Sequence, residues 1–79
     1  MLDHDSPVPL YEQLAALLRR QIRDGNLTGR VPSILGLAQE HGVSHRTSAA
    51  ALAILRDEGL IVSVRGKGFY VAERRGQQG

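Results

Sequence analysis

Apolar side chains recur at Leu10, Leu14, Leu17, Leu18 and Ile22, while Glu12, Arg19, Arg20 and Arg23 fall mostly elsewhere on the helical wheel. That period predicts a first helix over about residues 9 to 24. Pro9 suits its opening turn, where a missing N–H costs nothing. Asp24-Gly25-Asn26 supplies the stop, with Gly25 free to take a left-handed cap. Residues 1 to 8 are acidic and broken by proline, and a loosely ordered arm is expected there.

Thr28-Gly29-Arg30-Val31 reads as a short connection with room for a minimal strand, and Pro32-Ser33 as a helix start with Ser33 the N-cap. A short helix follows through Leu37, Ala38 and His41, and Gly42 closes it. The next begins at once over about 44 to 58, with Ser44 as cap, Val43 as hydrophobic staple and Ala51, Leu52 and Leu55 as the buried stripe. After Gly59 the pattern turns extended. LIVSV is rich in β-branched residues, RGKG is a turn and FYV is extended again, which predicts a hairpin with a basic, flexible tip. Residues 72 to 79 have nothing to bury and are expected to form a flexible tail.

Composition narrows the class. Seventy-nine residues make one small domain, and with only three aromatics, Tyr11, Phe69 and Tyr70, aliphatic side chains must fill the core. The absence of cysteine removes disulfide and thiolate sites and fits a reducing cytoplasm. A formal charge of +2 is a mild lean toward polyanions. No apolar run approaches the roughly 18 residues of a membrane helix.

Two helices joined by a tight Gly-Val-Ser turn form the helix-turn-helix pattern. Ala38 belongs where the helices cross, Gly42 where the turn needs positive φ, and Val43 beneath the turn. Such motifs prefer a branched apolar residue at the place of Ser48. The following hairpin makes this the winged variant, an α+β but mainly α fold of three helices and a C-terminal wing. Residues 9 to 71 resemble the winged helix-turn-helix DNA-binding domain of GntR-type bacterial transcription regulators. The matching pieces stand in order as PLYEQLAALLRRQIRDGNL, VPS, LAQEHGVS, Thr47, Ala51-Leu52, Leu55, EGL at 58 to 60, and RGKGFYV.

The resemblance implies that the second motif helix lies in the major groove of double-stranded DNA with its first turn toward the bases. His45 and Arg46 oppose the helix dipole, but they suit phosphates and guanine edges. Ser33, Ser44 and Thr47 cap and pack the helices and are candidate phosphate contacts. Arg65, Gly66, Lys67 and Gly68 form the wing tip, placed on the adjacent minor groove or backbone. The family usually carries DNA-contacting arginines at the positions of Leu35, His45 and Ala49, and a capping-box glutamate at Gly36, so its base code does not transfer. Members also normally carry a C-terminal effector-binding and dimerising domain, which eight residues after Val71 cannot supply. The expectation is a module without an effector domain, free of cofactors, monomeric or weakly dimeric, and pairing on DNA.

Other chemistries find little support. His41 and His45 have a zinc-like i, i+4 spacing, but Gly42 and the turn separate them. RGKG feeds an extended segment, whereas phosphate loops open a helix. No acid–base or nucleophile–base pair is placed by neighbouring elements, so no enzyme is expected. The expected function is transcriptional regulation, as a repressor acting by occupancy. The rival is a winged helix that has lost strong DNA binding and pairs with itself or with another regulator. Exposed apolar surface around Leu35, Ile54 or Phe69 would favour that rival.

Overall fold

The computed structural model describes residues 2–72, and the expected tail therefore falls, beyond Ala72, outside the described residues. The order is α1 (Leu10–Arg23), α2 (Ile34–His41), α3 (His45–Asp57), β1 (Ile61–Val64) and β2 (Gly68–Val71). Helix α1 begins one residue later than expected. Pro9 is its N-cap at ψ 145°, and its carbonyl accepts from the N–H groups of Glu12 and Gln13. No side chain caps this end. Leu14, Ala15 and Leu18 face inward.

Helices α2 and α3 are set by their caps. The Ser33 hydroxyl accepts from Gly36 N–H at 2.9 Å, and the Ser44 hydroxyl accepts from Thr47 N–H at 3.0 Å. Between them Gly42 takes φ +66°, the left-handed geometry in which other residues are strained, and Val43 N–H bonds back to Ala38. The turn therefore spans only Gly42, Val43 and Ser44. Ala51 is fully buried and Ala38 nearly so, small enough for close approach of the two helices.

Leu14, Leu18, Val31, Leu37, Leu52, Leu55 and Ile61 fill one core between the three helices and the root of the hairpin. Each such side chain contributes about 1.5–3 kcal/mol by leaving water. Ser48 lies in the same interior at 0% exposure, and its hydroxyl has no hydrogen-bond partner. Strands β1 and β2 pair antiparallel, Ile61 with Val71 through Val64 with Gly68. The minimal strand expected near Arg30 is a single bridge to Tyr70. Val31 N–H donates to Phe69 at 2.8 Å and Val71 N–H to Gly29 at 2.7 Å, so β2 is held on both edges.

The N-terminal arm makes specific contacts with α1. Asp3 N–H donates to Gln13 Oε1 at 2.7 Å, and Gln13 Nε2 donates to the carbonyls of Asp3 and Val8 at 2.9 and 2.8 Å. One amide thus satisfies three backbone groups and folds residues 3 to 8 onto α1. The Ser6 hydroxyl closes the bend by accepting from Val8 N–H. Composition alone does not reveal these contacts, because they come from a side chain on the next element.

Candidate nucleic-acid interface

The first turn of α3 brings Ser44, His45, Arg46 and Thr47 together. Ser44, His45 and Arg46 are exposed, and Thr47 is half-buried. The Ser44 hydroxyl also donates to Thr47 Oγ1 at 3.1 Å, which fixes both side chains and leaves the Thr47 hydroxyl proton free. The cap uses the N–H of Thr47, and Ser48 N–H bonds to the Ser44 carbonyl. The N–H groups of His45 and Arg46 have no protein partner among the described residues. Two outward N–H groups at the positive end of a 13-residue helix suit an anionic oxygen.

The wing tip is a second cationic point. Strand β1 leaves the core after Ile61, and Val62, Ser63 and Val64 are exposed, so Arg65 stands roughly 13 Å from the core at about 3.3 Å per residue. Lys67 N–H closes the turn on the Val64 carbonyl at 2.9 Å. Gly66 has φ +76° at the third position of that turn, the geometry that calls for glycine. A Cβ built on Gly66 or Gly68 meets nothing within 4 Å, which leaves space for another molecule to approach the backbone. Gly68 is already the first residue of β2, so the loop proper is Arg65-Gly66-Lys67.

Ser33 is exposed at the start of α2, where its hydroxyl is occupied as an acceptor but not as a donor. His41 ends α2 and His45 opens α3, so they share no helical face. Among the described residues His45, Arg46, Arg65 and Lys67 enter no ion pair, whereas Arg19 binds Glu58 through two hydrogen bonds of 2.8 and 2.6 Å. That pair joins α1 to the end of α3. Its hydrogen bonds hold the Glu58 carboxyl below its ordinary value, against a smaller opposing effect of burial, and raise Arg19. Sequence reasoning did not single out the pair, because 39 residues separate its members. It also passed over Arg30, an exposed cation bridged to Tyr70 at the root of the wing. Leu35 is 50% exposed and Ala49 half-buried, and neither side chain offers a donor. Of the three apolar residues that would mark a protein-binding face, only Leu35 is exposed, since Ile54 and Phe69 pack against the core.

This geometry has close counterparts. The family model described as bacterial regulatory proteins, gntR family, matches residues 10–71. The chain belongs to the GntR family. This GntR-family domain is 33% identical over 79 residues to the HTH-type transcriptional repressor NagR of Bacillus subtilis (strain 168), covering 98% of this chain and 32% of NagR. It is 38% identical to the histidine utilization repressor of Klebsiella aerogenes, covering 91% of this chain and 31% of the repressor. The chain thus spans about a third of the length of the curated relatives it matches. Among solved structures, YtrA from Sulfolobus acidocaldarius, a GntR-family transcription factor, superposes with a TM-score of 0.84 at 35% identity, over 92% of this chain and 64% of YtrA. AraR(DBD) in complex with operator ORX1 superposes with a TM-score of 0.82 at 29% identity, over 91% of this chain and 95% of AraR(DBD).

Proposed function

We propose that this GntR-family domain binds double-stranded DNA sequence-specifically and regulates transcription in the cytoplasm, as a repressor acting by occupancy. The observation that carries the reading is the first turn of α3, where His45 and Arg46 stand exposed and unpaired above free N–H groups. Arg46 and His45 read base edges in the major groove, the hydroxyls of Ser33 and Thr47 hold phosphates, and Ser44, whose own proton goes to Thr47, orients that hydroxyl. Arg65 and Lys67 hold the adjacent groove or backbone, with Gly66 and Gly68 allowing close approach. The repressor names of its relatives and the operator-bound AraR domain support this assignment. A module of this size covers about 600–1,000 Å² of its own surface on DNA, so useful affinity calls for two copies on a two-fold site. In that scheme free copies are monomeric or weakly dimeric, and DNA promotes their pairing.

Selection of bound sequences from a random duplex pool, followed by salt titration on the winner, tests the reading. Arg46→Ala should cost about 1–3 kcal/mol on the selected site and less on random duplex. Lys67→Ala should weaken all sequences alike and lower the salt slope by about one. A pool that yields no enriched sequence, with neither substitution altering affinity, overturns it.

A further inference from the structure

The outer face of α1 carries a charge pattern separate from the cations of α3. At about 100° per residue, Glu12, Ala16 and Arg20 run down one exposed stripe, with Arg23 further along it. Acid lies at one end, cations at the other, and alanine at the midpoint. The Gln13 clamp brings exposed Asp3 to the acidic end. None of Asp3, Glu12, Arg20 and Arg23 has an ion-pair partner among the described residues.

Beside the stripe a groove of about 790 Å³ opens between α1, the arm and α3. Val8, Tyr11, Ala16 and Ile54 give it apolar walls, Asp3 and Glu12 lie at its rim, and its one lining cation, Arg19, is held by Glu58. Val8 and Tyr11 are 44% and 38% exposed, so the walls are left open to an outside molecule. Ile54 lies eight residues along α3 from Arg46, roughly 12 Å at 1.5 Å per residue.

We infer that a second copy of this chain docks here, with the two α1 helices antiparallel about a two-fold axis at Ala16. This deepens the pairing proposed above and rests on it. Position 16 is midway between 12 and 20, so Glu12 of each copy stands level with the partner's Arg20. By the same symmetry the partner's Arg23 stands level with position 9. Its guanidinium enters between Asp3 and Glu12, and its stem lies along Tyr11. Ala16 lets the helices approach closely at the crossing. The contact is self-complementary, as a two-fold interface must be. Its footprint, roughly 21 Å by 10 Å, falls well below the roughly 800 Å² per partner of a standard interface. The pairing is therefore weak between free copies and grows where two half-sites hold them side by side.

Sedimentation equilibrium from micromolar to millimolar protein at low salt tests the surface without DNA. The wild type should associate toward the upper end. Glu12→Arg and Arg20→Glu should each weaken association about tenfold by placing like charges opposite one another. An equimolar mixture of the two variants should regain it, because each introduced charge then faces its opposite. All the substituted positions are exposed, and circular dichroism verifies that each variant is folded. A wild type that stays monomeric at millimolar concentration overturns the pairing itself. A wild type that associates while the single variants do so equally well, or a mixture that fails to recover, overturns the α1 surface alone.

Discussion

Ser48 is the one buried polar side chain among the described residues, at 0% exposure with an unpartnered hydroxyl. Burial without a partner forfeits the hydrogen bonds the hydroxyl makes to water in the unfolded chain, a loss of about 1–3 kcal/mol. Ser48→Ala removes that loss and gains up to about 0.5 kcal/mol of helix propensity. Against this, the missing oxygen leaves a void of roughly 10–15 Å³, which at about 24 cal/mol per Å³ costs about 0.3 kcal/mol. The net expectation is a gain of about 1–3 kcal/mol, which in a domain this small raises Tm by roughly 4–24 °C. Urea and thermal unfolding, followed by circular dichroism, measure both quantities. Ser48→Val, closer to the branched apolar residue usual in such motifs, should gain less, because its extra methyl groups press on packed neighbours. If Ser48→Ala is neutral or destabilising, the hydroxyl is satisfied within the fold and the reasoning fails.

Two further stability measurements follow from the packing and the ion pair. Ala51→Leu should overpack the α2–α3 crossing and cost about 1–3 kcal/mol, and an unchanged thermal midpoint would contradict the placement of the crossing. Glu58 has a folded pKa lowered by its bonds to Arg19, so its contribution is present above the unfolded carboxylate pKa and is lost as pH falls through the folded value. Both partners are partly exposed, which limits the pair to about 0.5–1 kcal/mol. The stability difference between wild type and Glu58→Gln should therefore be full near neutral pH and vanish in acid. A difference independent of pH would show that the pair contributes nothing as ions.

Much of the fold was legible because its decisive signals are local. Ser33 and Ser44 cap helices that begin one residue later, and Gly42 takes the left-handed turn between them. The wing was legible for the same reason, since β-branched residues flank a glycine-containing turn. The interface candidates sit beside these caps and turns, so their positions could be read with them. What escaped the sequence depends on contacts between distant residues. Gln13 clamps a segment ten residues away, and Arg19 meets Glu58 across 39. Neither spacing has a periodicity to betray it. The loss of arginines at Leu35 and Ala49 was visible, but the bases chosen in their place depend on DNA geometry that no cap or period encodes.

The double-edged hold on β2 has a consequence for the DNA itself. Bonded to β1 on one side and to residues 29–31 on the other, the base of the hairpin cannot swing independently of the helices. Only Arg65-Gly66-Lys67 is free to adjust. In the proposed binding mode, the first turn of α3 and the wing are two contact points whose offset acts as a caliper on the duplex. In that mode one inserted base pair displaces the second contact by about 3.4 Å, a shift that only the three tip residues and the long Arg65 and Lys67 side chains are placed to absorb. The protein's own backbone sets, in that mode, the span of duplex over which both contacts are met without adjustment.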